Sequence, residues 1–236
     1  MVGIIGPNGA GKSTLIKLLA GILPLQKGRV HIHDTDIDQI NRKELARELA
    51  YVPQSVDLHF DFSTEQVIEM GRFPFLKGMG FLDEGAHFAV EYALETMDLK
   101  TMRHRSFLTL SGGEKQRTVI ASALAQQTDI ILLDEPTSSL DLKHQQQIYR
   151  ILRRLTRDEN KLVLLVTHDI NLSAQFCNRL ILLDKGRIIA DGPPHEVLKF
   201  QLIQQVYGVK VYIDVNPFTD TVYILPYDTK ESDEKS

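Results

Sequence analysis

The chain has 236 residues, 43% of them apolar and 25% charged, with 15 Gly and 9 Pro. That is the make-up of an ordinary folded protein of one large or two small domains, and it excludes collagen-like, coiled-coil and wholly disordered chains. A net charge of −4 argues against a general DNA or RNA binder, and the lone Cys177 excludes an internal disulfide and fits a reducing compartment.

The chain opens on an apolar scrap, Val2–Ile5, and runs at once into glycine-rich sequence. From Lys12, apolar residues at Leu15, Leu18, Leu19 and Ile22 follow helical spacing, and Gly21 and Pro24 end the run. Arg29–His33 reads as a short strand, Arg42–Ala50 as a helix and Ala50–Pro53 as a strand. Residues from about 57 to 110 change character. They are helix-rich, with helices expected over Ser63–Gly71 and Glu84–Asp98 and a loop at Gly78–Gly80 between them. After Ser111, strands and helices alternate. Helix Gly113–Gln126 leads to strand Ile130–Leu133, helix Leu142–Arg157 to strand Leu162–Val166, and helix Leu172–Cys177 to strand Arg179–Leu183. Such alternation predicts an α/β fold with a mostly parallel sheet. Asp184-Lys185-Gly186 reads as a hairpin turn. Beyond Pro193–Pro194 come two short helices (His195–Lys199 and about Leu202–Tyr207), strand-like runs at Lys210–Val215 and Thr221–Leu225, and a polar tail, Asp228–Ser236. The longest apolar runs are far shorter than the ~20 residues of a membrane span, so work at a membrane would need a partner.

Gly6-Pro7-Asn8-Gly9-Ala10-Gly11-Lys12-Ser13-Thr14 fits the phosphate-loop pattern G-x-x-x-x-G-K-[ST], set between a strand and a helix. The glycines let successive backbone N–H groups face one point, and the helix start adds its dipole. Lys12 is expected to reach the β- and γ-phosphates, Ser13 to ligate Mg²⁺ and Thr14 to bond the α-phosphate. The loop alone leaves open a kinase, a GTPase, a motor or a transport ATPase. Ile130–Leu133 is followed by two acids. Asp134, at the carboxyl end of a parallel strand, is expected to hold Mg²⁺ through water, and Glu135 to act as the general base on the attacking water.

Leu110-Ser111-Gly112-Gly113-Glu114-Lys115-Gln116-Arg117 lies just ahead of these acids, with Ser111 23 residues before Asp134. It reads as a second anion site, a serine cap followed by bare glycine N–H groups. This segment resembles the signature motif of ATP-binding-cassette (ABC) ATPases. The resemblance covers about Val2 to Pro226 and implies a P-loop NTPase fold, with a RecA-like core at 1–56 and 118–227 and a helical subdomain at about 57–117. Residues 228–236 are left as a tail. The resemblance further implies that Ser111, Gly112 and Gly113 touch the γ-phosphate held by a second copy. Gln54 would be the Q-loop glutamine that senses Mg²⁺ and the membrane partner. Ser139-Leu140-Asp141 would be the D-loop at the dimer interface, and His168 the switch histidine. The implied assembly is a homodimer that sandwiches ATP with Mg²⁺ against transmembrane permease subunits, at the cytoplasmic face of the membrane. A periplasmic or extracellular substrate-binding protein would be an indirect partner, and nucleic acid none. Softer features, Gly71-Arg72-Phe73-Pro74, Asp141-Leu142-Lys143-His144-Gln145, His168-Asp169-Ile170-Asn171-Leu172, Asp191-Gly192-Pro193-Pro194 and Tyr207-Gly208-Val209, resemble the ATPases of importers for iron–siderophore complexes, haem and cobalamin. Zinc or manganese importers and non-transport ABC ATPases are the alternatives.

Other features read as structural. Arg150, Arg153, Arg154 and Arg157 are expected to form the solvated basic face of an amphipathic helix, and Cys177 to be a core thiol. Members of the family carry strands ahead of the phosphate-loop strand, with an aromatic residue that stacks on adenine. Here that loop begins at Gly6, no residue takes the stacking role, and N-terminal strands are expected to be missing from this sequence.

Overall fold

The computed structural model describes residues 1–56, 58–76, 85–138 and 140–228. The predicted Gly78–Gly80 loop, the helix start at Glu84, Ser139 and the tail beyond Asp228 lie outside them. In chain order the described elements are β1 (Val2–Ile5), α1 (Lys12–Leu19), β2 (His31–Ile32), β3 (Thr35–Asp36), α2 (Arg42–Glu48), β4 (Leu49–Val52), α3 (Thr64–Glu69) and α4 (Ala86–Thr96). They continue as α5 (Gly112–Ala125), β5 (Ile130–Asp134), α6 (Leu142–Asp158), β6 (Leu162–Val166), α7 (Ile170–Phe176), β7 (Arg179–Asp184) and β8 (Arg187–Gly192). The last are α8 (Pro194–Val197), α9 (Phe200–Tyr207), β9 (Val211–Asn216) and β10 (Thr221–Pro226). Backbone proximity divides the chain into two compact units. One is Met1–Lys12 with the chain from Val166 onward, and the other is Ser13–Leu165.

In the Ser13–Leu165 unit, β4 runs parallel to β5, with Leu49 opposite Ile130 and Val52 opposite Leu133, and β6 lies on the other side of β5. Both paired strands are almost wholly apolar and buried, as a parallel strand covered on two faces requires. Helix α5 packs on α3, α4 and β4, which is why polar Gln116, Arg117 and Thr118 are buried with its apolar residues. Helix α6 buries one stripe, Ile148, Ile151, Leu152 and Leu155, at helical spacing, together with Tyr149. The expected strand Arg29–His33 is only His31–Ile32, turned back on Thr35–Asp36 through His33 at φ 52. The predicted helix over Ser63–Gly71 stops at Glu69, and a 3-10 segment, Met70–Phe75, carries the chain through Pro74. Proline has no N–H for a continued α-helix.

In the other unit, β1 pairs parallel with β7, and β7 antiparallel with β8. Lys185 and Gly186 both have positive φ (47° and 74°), as the expected tight hairpin turn demands. Helix α7 starts two residues earlier than expected, because Asp169 caps it by accepting from Leu172 N at 2.8 Å. Asn171 grips the terminal hairpin. Its side chain donates to Ile224 O at 3.1 Å and accepts from Ile224 N at 2.8 Å. Cys177 is buried, and burial pushes its thiol up to about 12, which makes it an inert core group.

Candidate nucleotide site

The loop after β1 is shaped by its glycines. Gly9 and Gly11 have φ +78° and +97°, and a Cβ on Gly6 would lie 2.2 Å from Leu183 O. Only glycine fits these positions without strain. Gly186 N donates to Ala10 O at 2.9 Å and so ties the loop to the β7–β8 turn. Lys12 is 5% exposed, and its Nζ donates to Gly6 O at 2.9 Å and Pro7 O at 3.0 Å. The ammonium is thus folded onto the carbonyls of its own loop. Tyr207, at the end of α9, is hydrogen-bonded with the Gly6 backbone, and burial pushes its phenol up to about 12. In the sequence Tyr207 is only part of the sub-family motif Tyr207-Gly208-Val209. Nothing local marks it as a neighbour of Gly6.

The next residue in the chain, Ser13, opens the second group. Its hydroxyl donates to Asp134 Oδ1 at 2.9 Å. Asp134 ends β5 and is 2% exposed, and its Oδ2 accepts from the Tyr51 hydroxyl at 3.5 Å. Burial and the Asp134 charge push the Tyr51 phenol up to about 12, so it remains a donor at neutral pH. Tyr51 was missed by the sequence reading, because only the β4–β5 register places it here. The same register explains the next contact. Val52 faces Leu133, so Gln54 and Glu135, each two residues further on, come level. Gln54 Nε2 donates to Glu135 Oε2 at 2.8 Å. Glu135 sits at φ +50°, and this left-handed backbone carries the chain out of the strand line. A non-glycine residue held there is strained by about 1–3 kcal/mol, a pattern that clusters at functional sites.

Helix α5 begins at Ser111 in a capping box. Ser111 N donates to Glu114 Oε2 at 2.7 Å, and Glu114 N to Ser111 Oγ at 3.4 Å. Below it, Phe107 and Leu110 cluster with Val67. Among the described residues, nothing beyond its own helical turn lies within 4 Å of where a Gly112 Cβ would stand, and a Gly113 Cβ would meet Leu140 at 3.3 Å. Gly113 thus abuts Leu140, the residue before Asp141. Asp141 caps α6, accepting from His144 N at 2.9 Å, with its Oδ1 2.7 Å from His144 Nδ1. His168 lies between β6 and α7 in the unit that holds Lys12, next to Thr167, whose N–H bonds Ile4 O at 3.2 Å.

The Ser111 backbone N–H holds the Glu114 carboxyl below its ordinary value of 4.5. A carboxyl depressed in the folded state stabilises above its unfolded pKa, and that contribution disappears as pH falls through the lower folded value. Ser111→Ala is expected to lower stability by about 0.5–2 kcal/mol. Glu114→Gln is expected to flatten the fall in stability below about pH 4.5. Urea unfolding midpoints across an acid pH series measure both.

The ABC transporter family profile matches residues 1–138. The chain belongs to the ABC transporter family. It is 40% identical to the hemin import ATP-binding protein of Rhodococcus jostii, over 94% of this chain and 75% of that one. It is 36% identical to the iron(3+)-hydroxamate import ATP-binding protein of Bacillus subtilis, over 95% and 84%. Among solved structures, an ABC transporter described as metal-chelate type, in an inward-facing conformation, superposes with a TM-score of 0.84 at 26% identity, over 97% of this chain and 87% of that one. A dimeric ATP-binding cassette in a post-hydrolysis state, bound to ADP and Pi, superposes with a TM-score of 0.71 at 30% identity, over 82% and 85%. The chain is therefore an ATP-binding ABC ATPase with the P-loop NTPase fold. No helix among the described residues of this cassette is long and apolar enough to cross a membrane.

Proposed function

We propose that the cassette is the ATP-hydrolysing subunit of an importer for iron complexes, a ferric siderophore first and haem next. The observation that carries the enzymatic part is the Ser13–Asp134 contact at 2.9 Å. A loop hydroxyl and a strand-end carboxylate 121 residues apart in sequence are already joined where the phosphate-binding helix starts. The names of the hemin and iron(3+)-hydroxamate relatives support the choice of cargo.

Ser13 Oγ, the Asp134 carboxylate and the Gln54 amide oxygen form a hard-oxygen donor set suited to Mg²⁺. When bound, Mg²⁺ neutralises phosphate charge. This chain's residues do the rest. Loop N–H groups from Gly6 to Gly11, with Lys12, Ser13 and Thr14, bind the phosphates, and phosphate oxygens replace the Gly6 and Pro7 carbonyls as acceptors for Lys12 Nζ. Glu135 takes the proton of the attacking water, while Gln54 holds the Glu135 carboxylate by its 2.8 Å hydrogen bond. His168 contacts the γ-phosphate.

Ser111, Gly112, Gly113 and Asp141 serve the ATP of a second copy, which makes the working unit a homodimer. The dimeric cassette relative supports this arrangement. The dimer docks on permease subunits at the cytoplasmic face of the membrane through the groove beside Gln54. A substrate-binding protein delivers the cargo from the far side.

Deleting the gene is expected to abolish growth of its host on a ferric siderophore or haem as sole iron source. The intact gene restores growth and Lys12→Ala does not. Unchanged iron uptake with lost zinc or manganese uptake overturns the assignment.

A further inference from the structure

The sequence treats the arginines of α6 as a solvated basic face, and the structure separates them. Arg157 pairs with Asp158 at 2.7 Å. Lys143, Arg150 and Arg154 instead line a cleft of about 580 Å³, together with His144 and Arg117. Positions 143, 147, 150 and 154 recur at helical spacing, so one face of α6 presents this row. Opposite lies Arg117 of α5, whose side chain is 8% exposed. Its Nη1 donates to Met97 O at 3.2 Å and to Asp98 O at 3.4 Å. Its buried Nε meets no acceptor.

Asp98 is the only carboxylate lining the cleft, and its oxygen stands 3.8 Å from Arg117. Among the described residues, Lys143, Arg150 and Arg154 make no ion pair with any carboxylate within 4.0 Å. Four permanent cations, with an imidazole already paired to Asp141, thus share one concave space lined by a single acid. Like charges gathered this way repel one another unless an anion enters. The volume is that of a small-molecule site, and guanidinium forks suit phosphate oxygens.

We propose that this cleft is a further anion site of the chain, distinct from the phosphate loop and the Ser111 cap, taking a small polyphosphate anion. It lies beside α5 and α6, the helices that begin at the Ser111 and Asp141 caps. Its cations are different residues from Lys12 of the phosphate loop, so binding here does not rest on the ATPase reading.

The test uses the full chain saturated with Mg·ADP and titrated with inorganic tripolyphosphate at constant ionic strength, with the His144 ring signals followed by NMR. Saturable shifts are expected. The double variant Arg150→Glu, Arg154→Glu is expected to weaken tripolyphosphate at least about tenfold, with ADP affinity unchanged. If that variant does not fold, Lys143→Glu provides the same readout. Lys12→Ala should lose ADP yet keep the His144 titration, so failure of the nucleotide reading shows only in the ADP arm. Displacement by excess ATP would identify a nucleotide as the source of the phosphate chain, and no displacement a free polyphosphate; both support the site. A non-saturating drift that sodium chloride reproduces, or equal affinity in the charge-reversed variants, overturns it and returns the row to a solvated face.

Discussion

Glu135→Gln is expected to slow ATP hydrolysis by about 10²–10⁴-fold while ATP affinity stays near that of the parent, because removing a positioned general base costs a rate factor of that size. The substitution is nearly isosteric. Gln54 Nε2, 2.8 Å from Glu135 Oε2, can still donate to the new amide oxygen. Residue 135 can keep its left-handed backbone, which glutamine adopts no less readily than glutamate. What disappears is the only basic atom the substitution touches. The phosphate loop, Ser13 and Asp134 are untouched, so binding should persist. Single-turnover hydrolysis and nucleotide titration, run on the same preparation, separate the two effects. Near-normal turnover would remove Glu135 from its role and leave positioning and charge as the whole of the catalysis.

Gly71→Ala is expected to destabilise the chain by about 1–3 kcal/mol, the usual cost of forcing atoms into a packed interior. For a chain of this size that lowers the unfolding midpoint by roughly 2–12 °C. A Cβ at Gly71 would stand 2.0 Å from Ser122 O, 3.0 Å from Ser122 C and 3.3 Å from Gln126 N. All three are backbone atoms of α5 or the residue that caps it, and none can swing aside as a side chain can. The segment would have to lift away from α5, and its neighbours resist. Arg72 Nη1 donates to Ala125 O at 2.9 Å and to Gln127 Oε1 at 3.1 Å, and the guanidinium lies 4.1 Å from the Phe75 ring centre. Arg47 of α2 donates to Pro74 O at 2.9 Å. Gly71 has an ordinary helical φ, so its own backbone would favour alanine by about 0.5–1 kcal/mol. A rise in the thermal midpoint would therefore show that the close approach to α5 is not what holds glycine there.

The two substitutions differ in how far they could be read without the structure. Glu135 stands out locally, since a pair of acids after an apolar strand behind a phosphate loop has few other uses. Gly71 stands out only as one residue of a short motif. Its reason lies 51 residues away, at Ser122. Helix starts were readable at Asn41, Ser63, Ser111 and Asp141, though not at Asp169, whose cap opens α7 two residues early. The two-residue hairpin at His31–Asp36 was not, because so short a pairing has no periodicity to read.

The sequence by itself marked the candidate chemistry of this protein. The glycine curl with Lys12 and Ser13, the Ser-Gly-Gly cap, the paired acids and the later histidine are spacings of a few residues, and backbone geometry converts each directly into a local shape. Tertiary structure decided which of these shapes meet. Tyr51 reaches Asp134 and Gln54 reaches Glu135 because β4 pairs with β5 in one register, and a slip of one residue would turn every side chain to the other face. Tyr207, at the end of α9, hydrogen-bonds with the Gly6 backbone across nearly the whole length of the chain. Arg150 and Arg154 join Arg117 because α6 presents one side to α5. Such meetings depend on register and packing between distant segments, which no local spacing encodes.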